Sequence, residues 1–160
     1  MIVAWSKVQE LYVAMTEQGV CSIMLPNQSF ETLQTWVAKQ VPGAVLVEDA
    51  QAVEEATRQL EEYFRGERRV FTLPLDMRGT EFQQAVWRTV AQIPAGETRS
   101  YSEIANQIGR PRAVRAVGAA NGANPIPILI PCHRVIGSSG NLTGYRGGLP
   151  MKRELLDLEA

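Results

Sequence analysis

The sequence predicts an α+β chain built in two parts. Three patterns carry this expectation. Apolar runs flank Thr16-Glu17-Gln18-Gly19 as they would in a β-hairpin. Apolar residues recur at helical spacing over 30–37 and 53–64. Three helix-like segments follow one another after residue 80, two of them opened by capping boxes. Strand and helix patterns mix before about Asp76 and helices dominate after it, so the expected domains are 1–76 and 77–160.

Taken in order, the hairpin comes first, in "QELYVAMTEQGVCSIMLP". Phe30, Leu33 and Val37 then mark a helix face, with Asn27 or Ser29 available as its cap. "AVLVE" reads as a strand. Val53, Ala56, Leu60, Tyr63 and Phe64 mark a second helix, with Glu54–Arg58 and Glu61–Arg65 at i,i+4. "GERRVFTLPLDMRG" reads as a short strand and a punctuated link. In the second part, Thr80 and Gln83 form a capping box ahead of the stripe Phe82, Val86, Val90 and Ile93. Ser100 and Glu103 form another, ahead of Tyr101, Ile104, Ala105 and Ile108. Gly109 stops that helix and Pro111 restarts the chain into "RAVRAVGAANG". Two short helices around a tight glycine-containing turn spell helix-turn-helix.

Bulk properties narrow the function. A chain of 160 residues can bury roughly 70% of its unfolded surface, enough for a core without staples. No apolar run approaches the ~20 residues that span a bilayer, so no membrane role is expected. The start of the chain lacks a signal peptide's features, and two cysteines make no disulfide framework; a reducing cytoplasm is the expectation. One histidine and two cysteines leave little for a metal site, and no cofactor motif is visible. Residues 1–98 carry 8 basic against 13 acidic side chains, residues 99–160 carry 8 against 4; the second part is therefore a candidate face for a polyanion.

The last helix of the pair offers little with which to read bases. Val114 and Val117 mark its core side, while Arg112, Arg115, Gly118, Ala119 and Gly122 mark the other. Two arginines among residues with almost no side chain suit phosphates and the narrow minor groove, and an arginine could fill the gap left by an extruded base. The same small residues would also permit tight helix packing.

The chemistry centres on "NPIPILIPCHRVIGSSG". Prolines 125, 127 and 131 exclude an ordinary central strand. They present Cys132 stiffly, next to the chain's one histidine, His133. To act as a nucleophile the sulfur must be accessible and ionised, against the tendency of burial to keep it protonated. Neighbouring side chains of extended backbone point to opposite faces, so either the chain turns at Cys132 or a water links sulfur and imidazole. A third group should hold the ring, and Glu154, Asp157 and Glu159 are the candidates.

"RGTEFQQAVW", "IPAGETRSYSEIA", "RAVRAVG", "NPIPILIPCHRVIGSSGNLTGYRGGL" and "KRELLDLE" together resemble the O6-alkylguanine-DNA alkyltransferases, or methylated-DNA–protein-cysteine methyltransferases, from about Phe71 to Glu159. The resemblance implies a small N-terminal α/β domain with an antiparallel sheet. A mostly helical domain follows, whose winged-helix-like helix-turn-helix enters the minor groove of double-stranded DNA. It implies a monomer that transfers an alkyl group once, irreversibly, from O6 of a flipped guanine to Cys132, with O4 of thymine a further candidate. His133 would be the base through water, Glu159 its orienter, Tyr101 the donor to guanine N3, and Asn124 the brace of the active-site turn. Arg115 would be the finger, with Arg112, Gly118 and Ala119 against the DNA. The Val135 carbonyl, Tyr145 and Arg146 would line the guanine pocket. Cys21 has no histidine beside it, so the zinc of some members is not expected, and Arg146 stands where other members carry a small residue. The alternatives are a non-catalytic helix-turn-helix binder of alkylated DNA and a thiol hydrolase.

Overall fold

The computed structural model of the chain describes residues 1–160 and divides into two units, Met1–Arg78 and Gly79–Ala160. In the first, strands β1 (Ile2–Val8), β2 (Leu11–Thr16), β3 (Gly19–Met24) and β4 (Val45–Glu48) form one sheet in the order β3-β2-β1-β4. The expected hairpin is β2–β3. Gly19 closes its turn at φ +143°, and a side chain there would strike the Pro74 carbonyl. Strand β1 was not anticipated. Its hairpin to β2 turns on Gln9-Glu10, with Gln9 at φ 54°, and neither residue is among those that signal such turns. The sheet is also mixed rather than purely antiparallel, because β4 pairs parallel to β1. A parallel partner needs a crossover, and helix α1 (Phe30–Gln40) supplies it between β3 and β4.

Ser29, rather than Asn27, caps α1 by accepting the Thr32 N–H. Leu33 and Val37 are buried against Val3, Ala14, Cys21 and Met24. Helix α2 (Glu54–Phe64) buries Ala56, Leu60 and Tyr63 as its spacing predicts, and Gln59 besides. The Gln59 carboxamide bonds the Thr72 hydroxyl at 2.9 Å and the Thr72 N–H at 3.0 Å, pinning the link that follows. That link is not the expected strand. Pro74 cannot donate, and only a single bridge forms, through Val20 N–H to the Pro74 carbonyl and Asp76 N–H to the Val20 carbonyl. On the solvent side Arg58 pairs with Glu55 and Glu62 instead of Glu54, while Glu61–Arg65 forms at 3.7 Å.

In the second unit both capping boxes are present. Thr80 and Gln83 open α3 (Glu81–Val90), and Ser100 and Glu103 open α4 (Tyr101–Gln107). Val86, Val90 and Ile93 are buried; so is Trp87, whose indole N–H donates to the Ala120 carbonyl at 2.8 Å and ties α3 to α5 (Val114–Gly122). Gly109, at φ 76°, ends the first helix of the pair. The second starts later than expected, because residues 110–113 make a turn closed by the Ala113 N–H to the Arg110 carbonyl. Arg112 therefore lies in that turn and not on the helix. Strands β5 (Arg99–Ser100) and β6 (Val135–Ile136) make a two-residue parallel ladder, and α6 (Leu149–Glu159) closes the unit. No helix is long and apolar enough to cross a membrane.

Candidate active site

The segment ahead of Cys132 is held against its own preferences. Ile128, buried and β-branched, sits at φ 75°, a conformation that costs of order 1–3 kcal/mol for such a residue. Asn124 over-determines it. The Asn124 amide donates to the Ile130 carbonyl at 2.8 Å, and its carbonyl oxygen accepts the Ile126 N–H at 2.9 Å, so one side chain spans the bend. The chain then turns at Cys132 into a 3₁₀ turn, Cys132–Arg134, yet the turn makes no hydrogen bond between the sulfur and the His133 ring. Neighbours in such a turn need not face opposite ways as they do in a strand.

His133 is fully buried, and its Nε2 meets Glu159 Oε2 at 2.8 Å. Glu154 and Asp157 are exposed on the same helix. Arg134 grips Glu159 with two bonds of 2.9 and 2.7 Å and donates to the Ile93 carbonyl at 2.6 Å. A carboxylate so engaged only accepts, so Nε2 carries the hydrogen. Burial lowers the imidazole's pKa below its ordinary value against the pull of Glu159, and the ring is neutral. Its Nδ1 is then an unprotonated, buried lone pair with no protein partner, the form a general base requires.

Cys132 is only 6% exposed, and burial pushes its thiol up. A hydrogen bond from the Asn124 side chain and the charges of Arg146 and Lys152 pull the other way without cancelling it. The resting protein thus holds a thiol, and the ionised sulfur that reaction requires has to be made in the site. Desolvation outweighs the field, and the proton has to leave during the reaction.

Around this centre the remaining residues divide. The Val135 carbonyl accepts from Lys152 Nζ at 2.7 Å and keeps a second lone pair. Tyr101 opens α4, with its ring over Gly118, where an added methyl would touch it at 3.9 Å. Its phenol oxygen accepts from the Thr143 hydroxyl at 3.1 Å. Tyr145 and Arg146 are half-buried in the loop after β6, and Arg146 donates to the Gly122 carbonyl at the end of α5. Arg115 and Ala119 are exposed on α5, and Arg112 is exposed in the preceding turn.

Three contributors escaped the sequence reading. Arg134 was not singled out from the motif around Cys132, although it is buried. Asn121 is buried on α5 and donates to the Cys132 carbonyl at 3.3 Å. Lys152 is fully buried, with Nζ also 2.6 Å from the Thr143 carbonyl. Its spacing with Leu155 and Glu159 was the available signal, since 152, 155 and 159 share one helix face.

A family model for the 6-O-methylguanine DNA methyltransferase DNA binding domain matches residues 81–160, and one for the ribonuclease-like domain of the same family matches residues 2–77. The inducible methylated-DNA–protein-cysteine methyltransferase of Bacillus subtilis (strain 168) is 51% identical over 92% of this chain and 83% of that protein. A methylated-DNA–protein-cysteine methyltransferase of Mycobacterium bovis is 61% identical over 69% of this chain and 67% of its own length. The crystal structure of Mycobacterium tuberculosis OGT in complex with DNA superposes with a TM-score of 0.82 at 42% identity, covering 99% of this chain and 92% of that one. With both units matched in order and relatives above half identity spanning most of its length, this chain belongs to the methylated-DNA–protein-cysteine methyltransferase family.

Proposed function

We infer that the chain repairs DNA directly, moving a methyl group from O6 of guanine to the sulfur of Cys132. The observation that carries the reading is the neutral His133, oriented by Glu159 through Nε2 and offering an unpartnered Nδ1, next in sequence to a cysteine that follows the bend held by Asn124. As the base approaches, the thiol proton passes through a water to Nδ1 of His133. The sulfur attacks the methyl carbon in line, the S–C bond forms, and the C–O6 bond breaks with its electrons going to guanine. Tyr101 quenches the charge developing on the purine by donating to N3. Positioned proton donors and acceptors contribute typically 10²–10⁴-fold each to such a step. The product is a thioether that nothing in the site can cleave, so each molecule acts once.

Reaching the base requires extruding it, at a cost of a few kcal/mol that is smallest for a weakened pair. Arg115 enters the stack from the minor groove. Gly118 and Ala119 let the helix approach the groove wall, and Arg112 meets phosphate. The Val135 carbonyl, Tyr145 and Arg146 line the guanine pocket. The protein works as a monomer in the cytoplasm, where its two free cysteines stay reduced.

Intact-mass measurement after incubation with a duplex carrying O6-methylguanine tests this. The expected result is a gain of one methyl per chain, never more, and none in Cys132→Ala. Repeated release of methyl would point to hydrolysis instead, and tight binding without mass gain to a mere binder. A matching duplex with O4-methylthymine defines whether that lesion is a substrate. Arg115→Ala should slow repair of duplex far more than reaction with free O6-benzylguanine; equal slowing would remove its role as a finger.

A further inference from the structure

The loop between β6 and α6 is pinned at one residue from two sides. Lys152, fully buried on α6, holds the Thr143 carbonyl at 2.6 Å while also holding the Val135 carbonyl at 2.7 Å. The Thr143 backbone is thereby fixed relative to the strand that leaves the Cys132 turn. From that fixed point the Thr143 hydroxyl donates to the phenol oxygen of Tyr101 at 3.1 Å. The ring of Tyr101 lies over Gly118, where an added methyl would meet it at 3.9 Å.

A phenol oxygen carries one hydrogen and two lone pairs. When one lone pair accepts from Thr143, the directions left to the phenolic hydrogen narrow, and the O–H is polarised as a donor because hydrogen bonds in a chain strengthen one another. We propose that Thr143 is a positioning residue for the leaving group: its hydroxyl, anchored by Lys152, aims and strengthens the hydrogen that Tyr101 gives to the departing guanine. This inference rests on the reading of Tyr101 given above. It assigns the Lys152–Thr143–Tyr101 relay a place in the reaction that is separate from the Cys132–His133–Glu159 relay. One delivers a hydrogen to the leaving group; the other removes a proton from the nucleophile.

The test is a double-mutant cycle on single-turnover methyl transfer from an O6-methylguanine duplex, with Thr143→Val, Thr143→Ser, Tyr101→Phe and the Thr143→Val/Tyr101→Phe pair. Thr143→Val keeps the shape and removes the hydroxyl, and should slow transfer roughly 3- to 10-fold, the scale of one net hydrogen bond. Thr143→Ser should restore the wild-type rate. In the Tyr101→Phe background Thr143→Val should slow transfer no further, since there is no phenol left to aim. A wild-type rate in Thr143→Val, or the same slowing with and without the phenol, would overturn the proposal while leaving Tyr101 as donor. A wild-type rate in Tyr101→Phe would overturn the reading of Tyr101 and this inference with it. Thr143→Ala repeats the comparison should the valine disturb the loop, and unfolding temperatures of all variants separate a loss of fold from a loss of rate.

Discussion

The chain's two cysteines are both buried, and the difference between their surroundings separates a packing residue from a nucleophile. Cys21, fully buried in the sheet, donates weakly to the Ala14 carbonyl at 3.5 Å, and burial with the Asp76 charge pushes its thiol up to about 12. Cys132 suffers the same desolvation, yet every other influence there favours the thiolate: the Asn124 hydrogen bond, the Arg146 and Lys152 charges and its own backbone. Beside it stands a neutral imidazole; beside Cys21 there is none. Burial alone makes a cysteine inert. Activity takes a bent, strained backbone and a set of groups that costs the fold something to bury.

Four perturbations would break or sharpen that contrast. The largest effect is expected from Glu159→Gln, which leaves Arg134 buried without its carboxylate partner and frees the His133 ring. Unfolding should become easier by about 3–5 kcal/mol, and transfer to Cys132 slower by roughly 10²-fold. Denaturant titration and single-turnover rates check the two parts separately. Lys152→Met removes a buried cation and two hydrogen bonds, so the surroundings of Cys132 move toward those of Cys21. Stability should fall by about 1–3 kcal/mol, and the alkylation of Cys132 by iodoacetamide should slow.

Protonation tests the contrast without changing a side chain. Cys21 holds its proton in the folded state to about pH 12 against an ordinary value of 9.0, so its contribution is complete below pH 9 and lost between 9 and 12. Raised in the same direction, Cys132 adds to that alkaline loss. His133 is lowered from 6.5, so its contribution is complete above pH 6.5 and lost as the pH falls below that value. Denaturant unfolding across pH should therefore weaken at both ends, and Cys21→Ala should flatten the alkaline limb alone. The smallest effect belongs to Gly118→Ala. The added methyl meets Tyr101 only at ordinary contact distance and favours the helix by about 1 kcal/mol, so stability should hold or rise slightly while duplex binding weakens.

What could be read from sequence was local. The two capping boxes, the β2–β3 hairpin and the faces of α1 and α2 follow from residues a few positions apart, and they stand where expected. Strand β1 was hidden because its turn, Gln9-Glu10, uses residues with no turn preference. The late start of α5 was hidden because Ala113 offers no side-chain cap. In the site, the motif around Cys132 announced the nucleophile, but its electrostatics depend on partners more than ten residues away. Arg134 reaches Glu159 and Ile93, and Lys152 reaches back to Val135. Neither side chain's partner lies near it in sequence, so neither role is visible until the fold brings the partners together.

Peptide mapping of the wild-type protein after reaction with one equivalent of O6-methylguanine duplex tests the central claim most directly, because it asks which sulfur took the carbon. One methyl on the peptide containing Cys132, with the Cys21 peptide unmodified, is the expected result. Methyl on Cys21, on both peptides, or on neither would contradict the account.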